Sequence, residues 1–263
     1  MRKLPVLLAL LGLSSCLFAQ SDYYVISVKE KIWADNKPLL PRDKLPEAAK
    51  LRFSSRKAVA KVVSPGKGFF YLSPQKSKAQ RSSEFIVSLR DALIPPGEYR
   101  STSSRLVDTV AGLHFDDVYD MMGHFRQEVV LLGDGAYPVN ADNLPMDSSH
   151  YFVLARGETE QILPFRTDTL LLLKEPLGAF AKTDTSLLRL SYHNTLNGKV
   201  QPIGVFRLRQ PHPDSLRKEL LRLQSISTVG SELRFFQELA LPYVRQFYGR
   251  VDPLAVWDLV ISY

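Results

Sequence analysis

Beyond its first nineteen residues, the chain contains no cysteine and no apolar run approaching the roughly 18 uninterrupted residues of a membrane helix. Any fold must therefore close around strand- and helix-length apolar segments, without a disulfide to staple them. Size makes this feasible. The 244 residues after position 19 are long enough to bury roughly 70–75% of their unfolded surface. With 45% apolar and 23% charged residues, the composition is that of a globular protein rather than a disordered one. No repeat or low-complexity tract is visible.

The first nineteen residues read as a cleavable export signal. Met1-Arg2-Lys3 is a cationic start, residues 4–13 form an apolar core too short to span a bilayer, and residues 14–19 are smaller. Two processing routes stay open. Ala19 offers a small residue for ordinary signal peptidase, which is the favoured reading. Leu13-Ser14-Ser15-Cys16 also fits a lipobox, in which Cys16 would be lipidated and anchor the chain to a membrane. Cys16 is the sole cysteine, so either route leaves the mature fold without a thiol. The expected location is periplasmic or secreted, or lipid-anchored through Cys16.

Charge is unevenly spread. Residues 20–81 carry fourteen Lys and Arg against five acids, a net of +9. The whole chain nets +7, of which the leader adds +2, so the remainder is mildly acidic at −4. The basic front contains Lys29, Lys31, Lys50, Arg52, Arg56, Lys57, Lys61 and Lys67 interleaved with aromatics. This combination points to an anionic cell-envelope polymer or another envelope protein as partner. Nucleic acid is electrostatically feasible but does not fit an exported chain. The opposing view is that lysines on a small β domain merely keep it soluble.

The front also reads as short strands. Residues 23–28 and 31–33 are rich in β-formers, and 51–54 alternate apolar with polar. Residues 58–63 and 69–72 flank Pro65-Gly66-Lys67-Gly68, a hairpin signal. The order Lys31-Ile32-Trp33, Lys37-Pro38-Leu39, Asp43-Lys44-Leu45, Lys50-Leu51-Arg52-Phe53-Ser54-Ser55, Ala58-Val59-Ala60 and Gly66-Lys67-Gly68-Phe69 resembles the extracytoplasmic FecR-like module and, more loosely, SH3-like barrels. The resemblance covers residues 23–74. Arg42 stands where that module usually has glycine, and Ser64-Pro65-Gly66 replaces its Asp-Gly turn. It implies a small extracytoplasmic β module, with no signalling role carried over.

Residues 75–83 are polar and basic and read as a linker. From residue 84 a second region begins. A helix is expected over 115–125, then a β-meander over about 128–208, with Asn197-Gly198 as a two-residue hairpin turn. Helices are expected over about 214–263. Leu216, Leu220 and Leu223 share one face, and so do Leu233, Phe236, Leu239 and Val244. Pro242 is expected to split or kink the second helix, and Asp252-Pro253 to cap and open the last. The predicted class is α+β, with a small β barrel or sandwich over 20–74, then a mainly antiparallel meander and C-terminal helices over 84–263.

Catalytic patterns are sparse. Asp116, Asp120 and His124 would share one face at i, i+4 and i+8 if the helix spans them, and could hold a divalent cation. That set defines the enzymatic alternative, a metal-dependent envelope hydrolase. Gly133-Asp134-Gly135 with Asn140, Asp142 and Asn143 is oxygen-rich like a calcium loop, but lacks the EF-hand order and its closing glutamate. Ser54-Ser55-Arg56-Lys57 and Ser73-Pro74-Gln75-Lys76 match S-x-x-K, yet neither opens a helix, as that motif requires. No G-x-S-x-G, H-E-x-x-H or phosphate-cradling loop is present, and no cofactor is implied. A non-enzymatic binding or docking protein is the leading expectation.

Overall fold

The computed structural model describes residues 22–74, 85–96, 113–173 and 187–261. The expected leader with Cys16 and the expected linker over 75–83 lie outside the described residues. The chain divides into two compact units, Met1–Tyr99 and Arg100–Tyr263. No helix among the described residues is long and apolar enough to cross a membrane.

Among the described residues, nine short strands build the first unit. They are β1 (Tyr23–Lys29), β2 (Ile32–Ala34), β3 (Lys37–Pro38), β4 (Lys44–Leu45), β5 (Lys50–Phe53), β6 (Val59–Ser64), β7 (Gly68–Leu72), β8 (Phe85–Ser88) and β9 (Leu93–Ile94), with helical turn α1 (Leu89–Ala92) between the last two. They form two antiparallel sheets, β4-β1-β6-β7-β9 and β3-β2-β5-β8, rather than a closed barrel among the described residues. The core draws on both: Val25, Ala60, Val62 and Leu72 from one sheet, Ile32, Leu51, Phe53 and Val87 from the other. Asp35 and Asn36, both at positive φ, turn β2 into β3 as a two-residue hairpin with that backbone requires. The β6–β7 hairpin forms over Pro65-Gly66-Lys67, as its sequence predicts.

The domain boundary differs from the one expected at residue 84. β8 pairs with β5 over Lys50↔Ser88 to Phe53↔Phe85, and β9 pairs with β7. Residues 85–94 therefore complete the first unit. The polar stretch ahead of them looks like an interdomain linker, but alternation in β8 sends Val87 into the first unit's core while Ile86 faces out.

In the second unit the elements are α2 (Val118–His124), β10 (Gln127–Val130), β11 (Gly135–Pro138), β12 (His150–Arg156), β13 (Thr159–Ile162), β14 (Phe165–Arg166), β15 (Thr169–Leu172), β16 (Leu187–Asn194) and β17 (Lys199–Arg209). After them come α3 (Pro213–Ser225), α4 (Glu232–Phe235), a π-helical turn (Phe236–Ala240), α5 (Leu241–Phe247), β18 (Arg250–Val251) and α6 (Pro253–Ile261). A six-stranded sheet runs β13-β12-β16-β17-β10-β18, and β11-β15-β14 form a second, smaller sheet. Phe152, Leu154, Leu190 and Phe206 from the large sheet meet Tyr137, Leu170 and Leu172 from the small one in a single core.

The meander is antiparallel across β13, β12, β16 and β17 only. β10 lies parallel to both β17 and β18, which local pattern cannot announce. Two glycines permit this edge. A Cβ on Gly204 would lie 1.9 Å from the Phe125 carbonyl oxygen, and one on Gly249 (φ +127°) would lie 2.6 Å from that of Glu128. Arg209 Nη2 donates to Glu128 Oε1 at 2.6 Å and ties β10 to β17.

Three further expectations shift. α2 is shorter than 115–125, because Asp117 caps it by accepting from the Tyr119 and Asp120 N–H groups. Asn194 pairs with Lys199, so the β16–β17 loop has four residues and only its Gly198 is at positive φ. In the C-terminal helices, Leu216, Leu220 and Leu223 are buried on one face. Of the second set, Phe236 and Val244 are buried as expected, but Leu233 is 44% exposed and Phe235 is buried in its place. The π-helical turn ahead of Pro242 shifts the buried stripe by widening one turn of the helix. Asp252 accepts from the Leu254 N–H at 3.1 Å, with Pro253 at the first helical position, as predicted.

Candidate functional site

The Asp116–Asp120–His124 set does not converge. Asp116 lies outside the shortened α2, where its N–H donates to Asp120 Oδ2 at 3.1 Å. Both aspartates are exposed, whereas His124 is 7% exposed and points among Phe115, Phe125 and Tyr137. Burial, reinforced by Arg250 and then Arg245, pushes the imidazole pKa down to about 3. Among the described residues no three His, Cys, Asp or Glu side chains are placed to hold a metal ion. The metal set is therefore corrected: it needed an unbroken helix from 116 to 124, and the Asp117 cap starts that helix two residues too late.

The oxygen-rich loop is occupied by turn-making. Asn140 Oδ1 accepts from the Asp142 N–H, and Asn143 Nδ2 donates to the Asp116 carbonyl. Of the S-x-x-K matches, Ser54 sits in the β5–β6 loop and opens no helix; Ser73 is buried, and its Lys76 lies outside the described residues.

The basic front gives a defined surface. In the sheet β3-β2-β5-β8, Pro38, Trp33, Arg52 and Ile86 fall in one cross-strand row. Their neighbours in sequence, Ile32, Leu51, Phe53 and Val87, point into the core, so this row faces outward. The Arg52 guanidinium lies 4.5 Å from the centroid of the Trp33 ring, a cation–π contact that fixes both side chains. Ile86 is 52% exposed at the end of the row. Alternation places Lys31 beyond one side of the row and Lys50 beyond the other, both exposed.

Lys31 continues this surface onto one end of the unit. The β1–β2 turn passes through Glu30 at φ 64°. The Ser54 N–H donates to the Lys31 carbonyl, and the Ser55 hydroxyl donates to Glu30. These bonds bring the turn carrying Lys29 and Lys31 against the loop carrying Arg56 and Lys57. All four cations are exposed. Among the described residues none forms an ion pair, and the acid beside them, Glu30, is engaged by Ser55.

Two of the eight predicted cations lie apart. Lys61 is on β6 in the other sheet, across from Ser27 and Tyr71. Lys67, at the β6–β7 turn, sits 3.5 Å from Glu47 and over the Tyr23 ring. Sequence reasoning named Trp33 among the aromatics but did not join it to Arg52, and it assigned Ile86 to another domain. The outward alternation of Lys50-Leu51-Arg52-Phe53 was the available signal.

Comparison with protein families, with curated proteins and with solved structures finds no match for this chain.

Proposed function

We propose that the chain is an exported, envelope-associated binding protein that docks onto an anionic envelope polymer through its first unit. One observation carries this reading: Lys29, Lys31, Arg56 and Lys57 are gathered at one end of the unit, continuous with the Trp33–Arg52 row. Like charges kept close without carboxylate partners raise the local potential and attract a polyanion. The guanidinium held against Trp33 adds a rigid, planar donor suited to phosphate or carboxylate groups. Lysines that served solubility alone would gain nothing from being gathered at one end, and they would need no aromatic beside them. The export signal and the FecR-like order of the front residues fit a docking role outside the cytoplasm.

Co-sedimentation with polyphosphate and with a polyuronate, against a neutral glucan, tests the proposal. Binding to the anionic polymers is expected, weakening as salt rises to about 0.5 M, where charges beyond a few ångströms are screened. The pair Lys31→Glu and Arg56→Glu should weaken it about tenfold or more, since each cation near an anionic surface contributes about 1 kcal/mol. Equal binding to the neutral glucan, or indifference to the charge reversals, would overturn it.

A further inference from the structure

The basic face of the first unit carries more than charge. Its central row, Pro38, Trp33, Arg52 and Ile86, crosses four strands, a span of about 14 Å at about 4.8 Å between strands. Three of its four members are apolar. Pro38 is exposed, Ile86 is 52% exposed and Trp33 is half-buried. Outward positions on a solvated antiparallel sheet are ordinarily polar, and a face that served charge alone would keep to that rule. The one cation in the row, Arg52, lies against the Trp33 ring. Among the described residues its guanidinium has no hydrogen-bond or ion-pair partner.

We infer that this row takes sugar rings, so that the polymer is an acidic polysaccharide bearing uronate units; the inference rests on the docking role proposed above. Chemistry decides between a uronate glycan and a polyphosphate. A polyphosphate is charged and hydrated along its whole length. Pressing it onto Pro38, Trp33 and Ile86 would strip water from charge and put nothing in its place. A uronate unit is two-sided: its ring C–H groups form an apolar face, and its carboxylate projects from the ring edge. The apolar face covers Trp33, Pro38 and Ile86 and releases water from them. The carboxylate meets Arg52, whose planar fork offers it two parallel N–H donors. Apolar contact with a few placed polar groups is how a protein site fixes the orientation of a ligand.

The charges around the row give the polymer a direction. On one side Lys31 leads to Arg56 and Lys57, all exposed. On the other, Lys50 has an acid beside it, since Asp35 Oδ1 accepts from the Lys50 N–H at 3.0 Å. Carboxylates beyond the one held by Arg52 therefore run towards Lys31. The row selects the polymer, and the cationic end attracts it.

Titration calorimetry of the full chain with an oligogalacturonate and with an oligophosphate of equal charge tests the inference. At about 0.5 M salt, where charges beyond a few ångströms are screened, the uronate is expected to bind about tenfold more tightly. Changing the exposed pair Pro38→Ser and Ile86→Thr should weaken the uronate about fivefold and the phosphate less than about twofold. Threonine keeps the β-branch that suits a strand, so β8 should still form. Trp33 emission, read in a Trp257→Phe background, should shift when the uronate is added. Equal binding of the two oligomers, an unmoved Trp33 signal, or apolar changes that weaken both alike would overturn the inference and leave charge-driven docking standing. Binding of neither oligomer at low salt would remove both.

Discussion

Two sheet faces left over after core formation carry opposite chemistry. In the first unit, the outward positions of β2 and β5 hold Trp33, Arg52 and Lys50. In the second, the outward positions of β12 and β17 hold Val153, Ala155, Pro202 and Val205. Both sheets are antiparallel there, and both bury their other face in a comparable aliphatic and aromatic core. The difference lies in what each leaves for a partner: fixed positive charge beside an aromatic in one unit, exposed aliphatic side chains such as Val205 among separated charges such as Arg189 and Glu160 in the other. Fold alone does not specify a surface, and the alternate residues of a strand are free to encode it.

The sharpest test of this contrast sets adjacent sides of one sheet against each other. Phe152→Ala removes a fully buried ring and should cost about 3–5 kcal/mol in urea unfolding. Val205→Asp, on the exposed side, should stay within about 0.5 kcal/mol at dilute concentration. Equal losses would mean that the outer face is structural rather than available.

Acid should separate the two units next. All five histidines follow residue 100, and His124 has its pKa pushed down to about 3 from 6.5 by burial. The folded state therefore binds fewer protons than the unfolded one below pH 6.5. The contribution of neutral His124 is complete above that pH and is lost as pH falls through 6.5 towards 3. At pH 4.5 the second unit should be destabilised by about 2–3 kcal/mol relative to pH 7, and His124→Phe should remove most of that loss. The two tryptophans make this measurable, because Trp33 reports on the first unit and Trp257 on the second. Fluorescence-monitored unfolding of Trp33→Phe follows the second unit by itself. An unchanged acid loss in His124→Phe would place the proton uptake elsewhere.

The smallest effect concerns the basic face. Trp33→Ala should cost about 1–2 kcal/mol, from a half-buried ring and its cation–π contact with Arg52. Arg52→Lys should keep most of that stability while weakening polyanion binding, since an ammonium lacks the planar fork. Identical binding by the two would reduce Arg52 to a point charge.

Much of the architecture can be read from local pattern. Strand alternation locates β1, β5, β6 and β7, and Asp252-Pro253 marks the start of α6. What local pattern cannot carry is pairing at a distance. β8 follows a polar stretch yet completes the β3-β2-β5 sheet, because β5 presents a free edge to it. The parallel lie of β10 depends on Gly204 and Gly249 clearing a path for other backbone. The π-helical turn moves Leu233 out and Phe235 in. The cations were visible as charge, and the side of the sheet taken by Lys50 and Arg52 follows from alternation. The meeting of Lys29 and Lys31 with Arg56 and Lys57 was not visible, since it depends on Glu30 at positive φ and on the bond from Ser55.

The two residues of β18 have a consequence for how the molecule is made. They seal the outer edge of β10, but they leave the ribosome well after β10 does. Until Arg250 and Val251 emerge, β10 offers unsatisfied amides and carbonyls to any extended peptide nearby. A nascent chain in that condition is prone to the wrong neighbour, so truncation just before Gly249 should raise aggregation above that of the full chain.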